Sequence, residues 1–348
     1  MRLTMLGVLT ALLGALLVAP LSPAPATAGA SGRPRDVVSR GVVFDVENTN
    51  DTAALCSPDD QSYQLRGRLI GPRRDIDEQG DALRVNVLVH DLGTGSWFWT
   101  LPGHASYDYA TRLARHGETS LVLDRLGYGR SKLDDGDATC LGAQADMLHQ
   151  VVQHLRSGRY DFASPVPGVT STPAAAHVVT QGHAVGAEIA QLEASTFDDV
   201  DGLVLMSWAA GGATSLATRT AAAQTRACGS TDYAPLATSG SDYRALLFAS
   251  APRGVQQTAA RLRPKDPCGD VTSSAAMALA TGLGAGQVDA PVLLLYGSKD
   301  ALTNPRARES QAASYPTEVT THTFQGAGSA LPLEKPRAVR SVVLRWLR

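Results

Sequence analysis

The sequence predicts an α/β fold, a mostly parallel, doubly wound sheet with an inserted lid. Three observations predict it. From Val85 onward, short apolar runs of strand length alternate with helix-like stretches. The strand runs are apolar throughout, as strands covered on both faces are. The alternation pauses once, between Ala213 and Ala290, and then resumes.

The elements follow in order. Arg2 gives a short positive start, Leu3–Val18 is apolar, and Pro20, Pro23 and Pro25 break the run ahead of Ala26-Thr27-Ala28, a small-residue cleavage site. Residues 1–28 therefore read as a signal peptide, with a mature start near Gly29 and a secreted, extracellular protein. An uncleaved anchor is the competing reading, but the run is short for a membrane span. No cysteine follows it, so no lipid anchor and no stable membrane anchor is expected. Residues 29–40 read as a polar lead-in. Val42–Val46 and Tyr63–Ile70 are β-rich. Then come strand Val85–Val89, helix Tyr107–His116, strand Ser120–Leu123 and helix Ala143–Leu155, with Met147, Val151 and Leu155 at helical spacing. Strand Ala176–Thr180, helix Glu188–Ser195 and strands Leu203–Met206 and Val292–Tyr296 continue the pattern. Helix Arg306–Ser314, strand Val319–Phe324 and amphipathic Pro336–Leu347 close it. The domain reading is a core of 29–212 and 290–348 with a cap over 213–289, roughly 75 residues and small for an independent domain.

Composition narrows the function classes. With 348 residues and 44% hydrophobic content the chain can bury a large core, and a net charge of −2 without long single-sign runs argues against nucleic acid as a partner. The partner expected is a small, apolar ligand or substrate; protein partners are left open. The four cysteines, Cys56, Cys140, Cys228 and Cys268, suggest two disulfides in an exported chain. Chain order favours Cys56–Cys140 and Cys228–Cys268, with the other pairings open. No C-x-x-C or clustered Cys/His spacing is present, and no nucleotide-binding glycine loop, so neither a metal nor a cofactor is expected.

Five motifs stand in order: Val87-Leu88-Val89-His90-Asp91-Leu92-Gly93; Leu123-Asp124-Arg125-Leu126-Gly127-Tyr128-Gly129-Arg130-Ser131; Gly182-His183-Ala184-Val185-Gly186; Leu295-Tyr296-Gly297-Ser298-Lys299-Asp300; and Gly326-Ala327-Gly328-Ser329-Ala330-Leu331-Pro332. From about Val85 to the end, the chain resembles the alpha/beta-hydrolase superfamily. The resemblance implies that the first motif supplies half of an oxyanion hole, the third is the G-x-S-x-G nucleophile elbow, the fourth carries the triad acid and the fifth the triad histidine. Here Ala184 stands for the serine and Ser329 for the histidine; only Asp300 remains. Serine must attack and histidine must carry its proton, and losses of this kind cost on the order of a million-fold in turnover. Histidine to serine needs more than one base change, which points to natural divergence. His322, the only histidine after Asp300, falls inside a strand and is not expected to substitute.

The remaining candidates carry two readings each. His183 either packs beneath the elbow or acts as an acid or base. Asp91 stands where the family usually has glycine; it is either a proton acceptor or ligand-binding group, or a loop aspartate facing solvent. Trp97, Phe98 and Trp99 form either a pocket wall, with Trp97 and Trp99 touching ligand, or ordinary core. Asp124 and Arg125 read as a structural pair holding their turn, and Ser131, Ser207 and Ser298 as hydrogen-bonding loop residues. Ser329 donates to a ligand or is a neutral replacement. The amides of Leu92 and Val185 are expected to survive as a donor pair for an enolate or carbonyl. Three functions follow. The favoured one is a non-hydrolytic enzyme of cyclase, lyase or isomerase type, with Asp91, His183 and Asp300 as site residues. The others are a ligand-binding pseudoenzyme and a secreted esterase or lipase, disabled or using an unusual constellation.

Overall fold

Residues 36–77, 80 and 82–348 are described by the computed structural model; the segment read as a signal peptide lies outside them. Among the described residues, eleven strands and twelve α-helices follow in chain order. Strands β1 (Val37–Glu47) and β2 (Ser62–Pro72) form a long antiparallel hairpin, and α1 (Arg73–Ile76) leads into β3 (Leu83–Val89). Then follow α2 (Tyr109–Ala114), β4 (Thr119–Asp124), α3 (Leu141–Ser157), β5 (Asp161–Phe162), β6 (Ala175–His183), α4 (Val185–Phe197) and β7 (Gly202–Met206).

The chain next runs through α5 (Ser215–Cys228), β8 (Tyr233–Ala234), α6 (Gly240–Leu247), α7 (Arg253–Leu262), β9 (Asp266–Pro267), α8 (Cys268–Thr272) and α9 (Ser274–Gly284). It returns through β10 (Val292–Gly297), α10 (Pro305–Gln311), β11 (Val319–Phe324), α11 (Leu331–Glu334) and α12 (Pro336–Trp346). Nine strands form one sheet in the order β11-β10-β7-β6-β3-β4-β2-β1-β5. From β11 to β4 all pairings are parallel, and β2, β1 and β5 are added antiparallel.

The strand sequences explain the layering. Successive side chains point to opposite faces. Val85, Val87 and Val89 of β3, Leu203 and Leu205 of β7 and Leu294 of β10 fill one face, packed with Met147, Val151 and Leu155 of α3 and Ile189 of α4. Their neighbours Leu88, Val204, Met206, Leu293 and Leu295 fill the other, with Leu113 of α2 and Val339 and Val343 of α12. A strand apolar at every position therefore needs helices on both sides, which the alternating sequence supplies.

The segment between β7 and β10 packs on the core without a gap. Added Cβ atoms at Gly136 and Gly269 would lie 1.9 Å from the Asp232 carbonyl and 1.8 Å from the Thr139 carbonyl, so only glycine permits these backbone approaches. Two disulfides are present, Cys56–Cys140 and Cys228–Cys268; the second joins the end of α5 to the start of α8. Among the described residues no helix is long and apolar enough to cross a membrane.

Candidate active site

Strand β6 ends at His183 and α4 begins at Val185; Ala184 makes the turn between them, with φ 47° and ψ −113°. An L-residue rarely adopts this conformation, which stores strain. Close packing fixes the turn. A Cβ on Gly186 would lie 2.3 Å from the Val89 carbonyl, and one on Gly182 2.2 Å from the Gly186 carbonyl. The helix start thus lies directly against the loop that leaves β3.

That loop brings Asp91 to the turn. Its Oδ1 accepts N–H bonds from Leu92 at 2.8 Å and from Val185 at 3.1 Å. Asp91 is 3% exposed, so the loop aspartate faces inward. Its Oδ2 lies 3.7 Å from His183 Nδ1, beyond hydrogen-bond reach but with nothing else opposite that nitrogen. His183 Nε2 donates to the Ser329 carbonyl at 3.0 Å. A carbonyl only accepts, so the Nε2 carries the proton and the neutral ring turns a lone pair toward Asp91.

Burial pushes the Asp91 carboxyl up to about 8, against the two amide bonds that favour its anion. Burial also lowers His183 to about 4. Both effects favour a neutral carboxylic acid facing a neutral imidazole, and the tautomer of His183 agrees with that pairing. Phe98 stacks on the His183 ring, with centroids 4.6 Å apart.

The segment from 213 to 289 closes over these groups. Asp266, fully buried, accepts from the Gly93 amide at 2.6 Å and from Gln224 Nε2 at 2.6 Å. Burial raises this carboxyl to about 7. Tyr243 donates to the Gly93 carbonyl at 2.8 Å. Ser329, fully buried, donates to the Leu246 carbonyl at 2.9 Å, and its own carbonyl accepts from Ser207 at 2.7 Å as well as from His183. Ala184 is 7% exposed. The turn, its amides and its neighbours therefore form an interior polar layer between core and covering segment.

A strained strand-to-helix turn over a parallel sheet, with two converging backbone amides, is a geometry that a family comparison resolves. Residues 87–342 match the model of the alpha/beta hydrolase family. The chain belongs to the alpha/beta hydrolase family. Solved structures repeat this hydrolase fold. An esterase from Thermogutta terrifontis, solved with malate bound, superposes with a TM-score of 0.62 at 17% identity, covering 88% of this chain and 98% of that one. The esterase EaEST from Exiguobacterium antarcticum gives 0.61 at 16%, covering 82% and 96%. A monoacylglycerol lipase from Paleococcus ferrophilus gives 0.57 at 18%, covering 76% and 95%. No curated protein matches the chain in sequence.

Within this hydrolase fold the structure brings Asp91, His183, Ala184, Leu92, Val185 and Ser329 together. The amides of Leu92 and Val185, expected as a free donor pair, are both closed by Asp91 Oδ1. Asp300 accepts from the Leu302 and Thr303 amides at 2.8 and 3.3 Å and from the Thr303 hydroxyl at 3.2 Å, and the Ser207 hydroxyl that donates to the Ser329 carbonyl also lies beside its carboxyl. Trp99 is fully buried against Phe98 and Tyr109, which makes it core rather than pocket wall; Trp97 is half-buried beside Phe98. His322 is exposed on β11, three strands from β6.

Arg125 does not pair with Asp124. Its Nη1 lies 2.8 Å from Asp270, and its guanidinium sits 4.5 Å from the Tyr128 ring centroid, while Asp124 meets Arg130 at 3.5 Å. An arginine reaching into the covering segment satisfies a buried acid there, which a turn-local pairing would have left orphaned. Sequence reading missed Phe98 as the ring on His183, and Asp266, Asp270 and Tyr243 as the groups that fasten the covering segment. Their only signal is that Asp266 and Asp270 flank Cys268.

Proposed function

We propose that the chain is a non-hydrolytic, non-catalytic member of its family, a pseudoenzyme whose former catalytic centre fastens the cap to the core. One observation carries the reading: the Asp91 carboxyl sits on the Leu92 and Val185 amides, next to an alanine at the apex of the elbow. An ester's developing oxyanion needs those donors free, and a side-chain carboxyl already holds them. Ala184 offers no nucleophile, and Ser329 offers no base. The serine and histidine positions, the hole and the cap contacts all point the same way.

The Asp91–His183 pair favours a second reading. A neutral acid facing a neutral imidazole can pass a proton, which suits a cyclase, lyase or isomerase acting on a small apolar molecule. That reading needs the cap to move, since both side chains are buried. Extracellular work fits the two disulfides. An esterase or lipase, as the structural relatives are named, fits the fold and not the site.

The test is a panel of short and long chromogenic esters given to the natural protein, the Ala184→Ser/Ser329→His variant, and the same variant with Asp91→Gly. No cleavage by the first two and measurable cleavage by the third is the expected result. Turnover by the natural protein overturns the reading. Turnover by the double variant shows that the amides are accessible and removes Asp91 from the argument.

A further inference from the structure

The helix pair on the far side of the elbow holds three ligating side chains that no step above uses. His149 stands on α3, Glu193 on α4, and Asp199 just beyond α4. Asp198 takes a left-handed conformation, φ 47°, which ends α4 and turns the chain back toward α3. The His149 ring lies flat on Phe197, centroids 3.9 Å apart, so its orientation is fixed. Its Nδ1 lies 2.8 Å from Asp199 Oδ2. Gln153, one turn along α3, donates to the same oxygen at 2.6 Å.

Glu193 is the anomaly. It is fully buried, and among the described residues no N–H or O–H donor reaches either of its oxygens or Asp199 Oδ1. Buried carboxyls without donors are costly, and two that face each other need positive charge or a shared proton between them. The one arginine nearby, Arg156, is engaged by the Asp199 carbonyl at 2.6 Å and by Asp201 at 2.8 Å.

We propose that His149, Glu193 and Asp199 bind a divalent transition cation, zinc foremost, with water completing its shell. One ligating atom from each residue lies within 4.8 Å of the other two. Zinc takes nitrogen and oxygen ligands at about 2.0–2.2 Å, so small side-chain rotations close such a set around one ion. Two carboxylates balance a divalent charge, and an imidazole ligand favours zinc over calcium or magnesium, which take oxygen. The ligands come from α3, α4 and the residue pair that follows α4, with His149 and Glu193 44 residues apart; this is why sequence spacing pointed to no metal.

The experiment is calorimetric titration of the untagged, chelator-treated full chain with zinc chloride, repeated with cobalt chloride while visible absorption is recorded. One equivalent is expected to bind, with cobalt bands reporting a protein-held ion. Glu193→Gln, His149→Gln and Asp199→Asn are each expected to weaken binding by about 100-fold or more, the upper end of what even outer-shell losses cost. His322→Gln, at an exposed strand histidine, leaves it unchanged. Glu193→Gln keeps shape and can still bond Asp199, so it reports on binding and not on folding; unfolding curves of all variants check this. No binding by the natural protein, with Glu193→Gln of equal or higher stability, means that the carboxyls share a proton only, and overturns the proposal. Binding that survives Glu193→Gln overturns it as well.

Discussion

Replacing Asp91 by asparagine tests the state of the site directly. Asparagine copies the neutral acid: its carbonyl accepts from the Leu92 and Val185 amides, and its amide N–H faces His183 Nδ1 as the acid proton does. Asp91 has a folded-state value raised to about 8, against about 3.9 in an unfolded chain. A raised folded value gives stability that is complete below the unfolded value and is lost as pH rises through the folded one. His183 runs the other way. Its folded value is lowered to about 4, so its contribution is complete above about pH 6.5 and lost as pH falls.

Above about pH 6.5, then, Asp91 acts without the opposing histidine. Raising the pH from about 6.5 to about 9 spans roughly 1.5 units below its folded value, at about 1.4 kcal/mol each, or about 2 kcal/mol. Urea unfolding of both proteins at the two pH values is the assay. The margin of Asp91→Asn over the natural protein is expected to widen by about 2 kcal/mol between about pH 6.5 and about pH 9. A variant that is weaker by about 2 kcal/mol at both pH values would refute the neutral acid, and would mean that the amides hold a carboxylate anion.

Two other substitutions probe the same layer. Ala184→Gly relieves a backbone strain of about 1–3 kcal/mol at the cost of about 0.5–1 kcal/mol of chain entropy, so its melting temperature is expected to rise; an unchanged or lower one shows that the elbow is unstrained. Arg125→Met leaves Asp270 buried without its cation and is expected to cost about 3–5 kcal/mol in urea unfolding, most of it regained in Arg125→Met/Asp270→Leu; a loss under about 1 kcal/mol would show that the pair is not the fastening described.

The core was legible because its code is local. Runs such as Val85–Val89 and Val292–Tyr296 name buried strands by themselves, and helix spacing at Met147, Val151 and Leu155 names the face that covers them. The elbow was legible from glycines, since Gly182 and Gly186 are required by backbone contact whatever the chemistry of residue 184. The polar layer was not. Asp91 is one aspartate in a loop, and whether it meets solvent or two amides depends on a helix that begins 94 residues later. Arg125 read as Asp124's partner because they are adjacent, yet its acid lies 145 residues away. Composition left Trp99 open between pocket wall and core, and its burial against Phe98 and Tyr109 depends on chain brought from elsewhere. Long-range polar pairing leaves no period in a sequence, so reading fails where the site begins.

The backbone approaches at Gly136 and Gly269 also bear on engineering. A cap that meets its core through side chains can be exchanged by resurfacing both. Here carbonyls of one part lie where a Cβ of the other would stand, and no substitution restores the fit if either backbone shifts by an ångström. A chimaera that grafts the proposed cap, residues 213–289, onto a relative is expected to need the stretches around Asp137 and Thr139 along with it.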